Sequence, residues 1–368
     1  MIKNLPRAAC AALLALGAAL ASPAQPAASP VASSREPLKV GFVFVSPVGE
    51  AGWTYQHNQG RLALEATLGP RVRTTVVESV PEGPDAERVM RDLASRGHGL
   101  IFATSFGYLD AALRVAANFP QVRFEHAGGY KTADNLNTYN ARYYEARYLA
   151  GWLAGRSSER GVAGYVAGFP VPEVIQGINA FALGMRAANP KAEVRVLWLN
   201  TWFDPVRERE AAQTLVRQGA DVLTNHSGSP AVPQTAEDLG VKLVAYQSDM
   251  RRFAPRAQLA AVTHHWGGYY TRVAQSVLDG RWRVQPAWGG LKDGMVQLDA
   301  LHPSLPADIV EALRRLRADI ESGRRHAFEG RLVDQHGRVR QESGRLADER
   351  IAAMDWFVQG VVGTLPTP

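Results

Sequence analysis

Cysteine is all but missing from this chain: Cys10 is the single one in 368 residues. One cysteine excludes an internal disulfide, and a cut after Ala21 would leave no thiol at all. Thiolate chemistry is then excluded too, and the fold must be held by its apolar cores. Enzyme signatures are also lacking. There is no G-x-S-x-G, no P-loop, no H-E-x-x-H, and no G-x-G-x-x-G after the first strand pattern. Where a dinucleotide fold would place those glycines, the chain has the bulky Ser46-Pro47-Val48-Gly49-Glu50-Ala51-Gly52-Trp53. Nor is there a Lys/Arg-rich block. The net charge of +6 is scattered, and Lys3 and Arg7 account for two of those charges, which speaks against nucleic-acid binding.

What is there begins with an export pattern. Lys3 and Arg7 precede an apolar stretch, Ala8–Ala21, that ends in Ala19-Leu20-Ala21. The stretch is shorter than the ~20 residues of a spanning helix, so residues 1–21 are expected to be a cleaved signal peptide. Residues 22–37, rich in Pro, Ala and Ser, read as a flexible tether. Lipidation of Cys10 is not expected, because Arg7 stands where an apolar residue is needed and the apolar stretch follows the cysteine. The mature protein is therefore expected in the periplasm.

From Leu38 onward strand and helix patterns alternate. Apolar runs such as Leu38–Val45, Leu100–Thr104 and Val162–Ala167 are short enough for buried strands, and helical stretches such as Tyr55–Leu68, Leu109–Asn118 and Glu173–Asn189 separate them. Such alternation implies parallel pairing through helical crossovers. The pattern pauses near Asn137–Tyr144 and restarts at Val162, which predicts two doubly wound α/β lobes. Lobe 1 is expected to take residues 38–142 and about 250–284, and lobe 2 residues 143–249 and about 285–366. The chain then crosses between lobes more than twice, forming a hinge and a closing cleft. A hairpin is expected over Leu332–Gln341, centred on His336-Gly337, and a last helix over Ala347–Phe357.

Ligands of open parallel sheets bind beyond the carboxyl ends of the strands. The tips here carry Trp53, Phe106, Phe169, Trp202, Asn225, His226 and Asp249: rings for stacking, with amide, imidazole and carboxylate groups for orientation. Trp202 and Phe203 are adjacent and cannot both face the cleft; Trp202 is taken for the ligand. Asp204, ahead of Pro205, reads as a helix N-cap. For Asp249 an ion pair with Arg251 or Arg252 competes with a ligand contact. His264-His265-Trp266 lacks the spacing of a helical metal site, so no metal and no cofactor are expected, while Trp266 joins the candidate rings.

Four stretches in order resemble the BMP-type substrate-binding proteins of ABC transporters, which include purine-nucleoside receptors: Gly52–Gly60 (GWTYQHNQG) after the first strand, Thr201–Pro205 (TWFDP), Ser248–Met250 (SDM), and Met354–Pro366 (MDWFVQGVVGTLP). The resemblance spans about Leu38 to Pro366. It implies the type I periplasmic binding protein arrangement and an aromatic sandwich, for which Trp53 and Trp202 hold the matching positions, with Asp249 as a ligand contact. Two departures, Thr54 in place of an asparagine and His264-His265-Trp266 where a lysine is expected, fit a free base such as adenine better than a nucleoside. Tyr55, Gln56, Asn225, His226 and Asp249 would read the ring edge. The resemblance further implies a non-enzymatic monomer that delivers its ligand to an inner-membrane ABC permease. A secreted hydrolase acting on nucleosides and a sensory receptor are the alternatives; release of free base from nucleosides would mark the former.

Overall fold

The computed structural model describes residues 36–366; the expected signal peptide, Cys10 and nearly all of the tether lie outside them. In the first lobe β1 (Leu38–Val43), α1 (Trp53–Leu68), β2 (Val72–Val77), α2 (Pro84–Ser95), β3 (Leu100–Ala103), α3 (Leu109–Asn118), β4 (Arg123–Ala127) and β5 (Leu136–Ala141) follow in turn. Their strands pair in parallel in the order β2-β1-β3-β4-β5. β3 is buried at every residue, as expected of a central parallel strand covered on both faces.

The second lobe repeats the plan. It contains α4 (Tyr143–Ser157), β6 (Val162–Ala167), α5 (Pro172–Ala188), β7 (Glu193–Trp198), α6 (Pro205–Arg217), β8 (Val222–His226), α7 (Ala231–Leu239) and β9 (Lys242–Gln247). The remaining elements are β10 (Gln258–His264), α8 (Gly267–Leu278), β11 (Ala287–Gly289), β12 (Val296–Asp299), α9 (Ala307–Glu321), β13 (Leu332–Val333), β14 (Val339–Gln341), α10 (Asp348–Ala352) and β15 (Val361–Val362). The second sheet runs β15-β7-β6-β8-β9-β10-β12. Both sheets reverse strand order beside their first strand, so each has a switch point there, β1/β3 in one and β6/β8 in the other, where a crevice opens.

The chain changes lobes three times: between β5 and α4, between β10 and α8, and between β11 and β12. Here the structure differs from the expected boundaries. β10 pairs in parallel with β9 and belongs to the second sheet, whereas α8 packs on α1 of the first lobe. Residues 287–299 carry two short strands, β11 beside β5 and β12 antiparallel to β10. β10 is buried along its whole length, so its composition suits either sheet and only pairing decides.

The hairpin forms as β13–β14 around His336-Gly337, but the last helix stops at Ala352. Beyond it the Asn179 carboxamide donates to Trp356 O at 2.7 Å and accepts from Val358 N at 2.9 Å, taking up backbone groups that a helix would have used. In the second lobe α4 and α5 lie in backbone contact. A Cβ on Gly151 would stand 1.9 Å from Phe181 O, and one on Gly184 2.0 Å from Tyr148 O, so glycine is required at both. Asp204 caps α6, accepting from Val206 N and Arg207 N.

Candidate ligand-binding site between the lobes

The two switch points face each other across a small cavity lined by both lobes, beyond the carboxyl ends of the strands where ligands of such sheets bind. The first lobe lines it with Val45 and Ser46 beyond β1, Trp53 at the start of α1, and Ser105 and Phe106 beyond β3. The second contributes Glu173 from α5, Trp202 beyond β7, His226 and Gly228 at the end of β8, and Gln247 closing β9. The lobes touch beside it: Gly52 N donates to Ser248 Oγ at 2.9 Å. Gly52 has φ +95°, and a Cβ there would meet Gly228 O at 2.3 Å, so this approach requires glycine.

The two indoles are held differently. Trp53 Nε1 donates to Thr104 O at 2.7 Å, and its ring meets His57, His264 and Trp266 edge-on at centroid distances of 4.3, 5.7 and 6.1 Å. Trp266 is 1 % exposed and supports Trp53 from behind without lining the cavity. Trp202 Nε1 reaches across the cleft to Glu82 Oε1 at 3.2 Å; the same oxygen accepts from Ser105 Oγ and Gly107 N. Phe169 packs edge-on against Trp202 at 4.9 Å. Phe169 and Trp266 thus position the cavity rings, and Phe106 lines the cavity itself.

Polar groups converge on the same space. Glu173 accepts from Asn140 Nδ2 at 2.9 Å across the cleft, and its other oxygen stands 4.0 Å from His226 Nε2. Burial pushes the Glu173 carboxyl up to about 7 against the opposing pull of the Asn140 hydrogen bond. Burial first, and then the Arg147 charge, hold the His226 imidazole well below its usual range and therefore neutral. Its Nδ1 and the Gln247 Oε1 are buried without a partner. Gln247 also has φ +72°, a conformation that costs a non-glycine residue about 1–3 kcal/mol and tends to collect at functional sites.

Behind this wall Arg147, fully buried on α4, stacks on Tyr246 at 3.4 Å and donates to Thr224 Oγ1 and Asn225 O. Asn225, expected at the ring edge, instead turns its amide to Ser227 O at 3.1 Å and does not line the cavity. Asp249 stands outside it too. Despite partial burial, Arg251 and Gln258 hold its carboxyl below the usual range, with Arg251 Nε at 2.8 Å and Gln258 Nε2 at 2.9 Å. Of the two roles open to Asp249 in the sequence, the structure shows the ion pair. Tyr55 and Gln56 are half-buried on α1, away from the lining. Glu173, Gln247 and Glu82 were not singled out by sequence reasoning. Glu173 follows Pro172 one step into a helix beyond β6, a strand-tip position that could have been read; the left-handed turn at Gln247 has no such signal.

Among the described residues no cluster of three or more His, Cys, Asp or Glu could hold a metal, and no helix is long and apolar enough to cross a membrane.

Two α/β lobes joined by three crossings around an aromatic cavity define a substrate-binding protein of the type I periplasmic class. The family model of PnrA-like ABC transporter substrate-binding proteins (Bmp) matches residues 38–324, and the chain belongs to that family. It is 47% identical to a purine-binding protein of Brucella abortus, covering 91% of this chain and 96% of that one. It is 34% identical to a protein of Haloferax volcanii named as a candidate ABC transporter glucose-binding protein, over 91% of this chain and 83% of the other. Among solved structures an ABC transporter solute-binding protein of Aeropyrum pernix superposes with a TM-score of 0.68 at 18% identity, covering 86% and 96% of the two chains, which is a likeness of fold. The family binds substrates rather than transforming them. It works outside the cytoplasmic membrane, with a small-molecule ligand and a membrane permease as partners.

Proposed function

We propose that this protein captures a purine base, adenine-like, or a closely related heteroaromatic, and presents it to its permease as a periplasmic monomer. The observation that carries the proposal is the pair of indoles, Trp53 and Trp202, contributed by opposite lobes to one cavity with Phe106 beside them. A flat ring between them would gain about 0.5–1.5 kcal/mol per stacked pair beyond the area it buries. The 47% identity to a protein named for purine binding supports the same ligand class. Glu173, Gln247 and His226 supply polar groups for the ring edge.

Calorimetry with adenine, adenosine and glucose tests this directly. Adenine should bind more tightly than adenosine, and glucose should give no heat. Glucose, the ligand in the name of the second relative, would replace the purine if it alone bound. Turnover of adenosine to free base would turn the receptor into a hydrolase.

A further inference from the structure

We propose that Glu173, as the ionised carboxylate, makes this receptor selective for amino-substituted rings: its free oxygen accepts from an exocyclic amine, while Gln247 Oε1 accepts from a second ring N–H. The assignment rests on the purine proposal above and goes beyond it by naming the ring edge that is read and the atoms that read it.

The cavity's hydroxyl groups are already committed. Ser46 Oγ is bonded with Thr54 Oγ1 at 2.7 Å, and Ser105 Oγ donates to Glu82 at 2.6 Å. Three polar side chains on the lining keep unused capacity: Glu173, Gln247 and His226. One Glu173 oxygen takes the Asn140 amide, and the other has His226 Nε2 at 4.0 Å, beyond hydrogen-bond reach. Gln247 Oε1 is buried with no partner at all, and its backbone is held at φ +72°. The Gln247 oxygen calls for a donor on the ligand, since a buried acceptor left unpaired is costly, and the Glu173 oxygen that Asn140 leaves free can accept from a second. A ring with an exocyclic amine and a ring N–H supplies both. A ring with a carbonyl in place of the amine would set oxygen against oxygen at Glu173.

Closure completes this arrangement. Asn140 lies on β5 of the first lobe and Glu173 on α5 of the second, so the hydrogen bond that orients the carboxyl exists only when the lobes meet. Gly128 of the first lobe lies over the same carboxyl, and a Cβ there would stand 3.2 Å from Glu173 Oε2. Asn140 also fixes what a substitution would do. Its carbonyl accepts from Ala141 N at 2.9 Å, so its amine points at residue 173. In Glu173→Gln the amide oxygen must take that amine, which turns the new NH₂ toward the ring. An acceptor becomes a donor at the same place.

The test is calorimetry at pH 8.5, where the Glu173 carboxyl is ionised and its free oxygen only accepts, of wild type, Glu173→Gln and Glu173→Ala with adenine, unsubstituted purine and hypoxanthine. Wild type should bind adenine about tenfold or more tighter than the other two. Glu173→Gln should weaken adenine by about tenfold and move preference toward hypoxanthine, and Glu173→Ala should bind all three within about threefold of one another. If wild type binds the three bases equally, or if Glu173→Gln keeps the adenine preference, the assignment is overturned and the purine proposal stands. If wild type binds none of them, both fall. The wild-type series decides the matter even where a variant fails to fold.

Discussion

Replacing Gly52 with alanine should keep the two lobes from closing while leaving each folded. A Cβ at residue 52 would lie 2.3 Å from Gly228 O. Carbon–oxygen contacts settle at about 3.3–3.6 Å, so the lobes must part by about 1 Å. Two inter-lobe hydrogen bonds cannot follow: Gly52 N to Ser248 Oγ at 2.9 Å and Trp202 Nε1 to Glu82 Oε1 at 3.2 Å. The first contributes about 0.5–1.5 kcal/mol and the second, to a carboxylate, about 1.5–3 kcal/mol. A loss near 3 kcal/mol raises Kd roughly a hundredfold. Alanine at φ +95° adds about 1–3 kcal/mol of backbone strain, but open and closed forms carry it alike, so it lowers Tm without entering the closing equilibrium. Calorimetry with adenine measures the affinity, and small-angle X-ray scattering with and without ligand measures closure. A G52A protein that binds and compacts like wild type would refute the reasoning.

Trp202→Ala should weaken adenine binding tenfold to several hundredfold, through the lost ring and the lost bond to Glu82, with little change in the unliganded Tm. Trp53→Ala should weaken binding as well and also lower stability by up to about 3 kcal/mol, because it opens a void against His57, His264 and Trp266; equal Tm values for the two variants would contradict this difference. Asp249→Asn should leave affinity within about twofold of wild type, since the carboxylate is occupied by Arg251 and Gln258; a large loss in titration would return Asp249 to the ligand. The Glu173 carboxyl is raised to about 7, so the native state keeps a proton that the unfolded chain has released. Its stabilising contribution is complete below the ordinary carboxyl range and lost as pH rises through about 7. Denaturant melts of unliganded wild type against Glu173→Gln should therefore show wild type losing about 3 kcal/mol relative to the variant between pH 4.5 and 7.5; a constant difference would show that Glu173 is not held protonated.

Periodicity was enough for most of the elements. β6 at Val162–Ala167 and α3 at Leu109–Asn118 fall where the pattern places them, because a buried parallel strand is a short apolar run and a covered helix repeats its apolar residues each turn. Strand-tip logic reached Trp53, Phe106, Trp202 and His226 for the same reason: the carboxyl ends of parallel strands point into the cleft whatever the partner strand is. It could not tell lining from support. Phe169 and Trp266 are aromatic like their neighbours, and only their contacts show that they hold Trp202 and Trp53 in place.

The sequence by itself determined the alternation of strands and helices, the two-lobed plan, the Asp204 cap and the aromatic character of the cleft. All of these depend on residues close together in the chain. The tertiary structure alone decided that β10 joins the second sheet, that Asp249 pairs away from the cavity, and that Glu173 and Gln247 face into it. The Glu82–Trp202 bond joins residues 120 apart and the Gly52–Ser248 bond residues 196 apart. Closing such long loops costs little more for one partner than for another. The choice among partners is therefore made by packing and hydrogen bonding in the folded molecule, which brings Trp53 and Trp202 to the lining of one cavity.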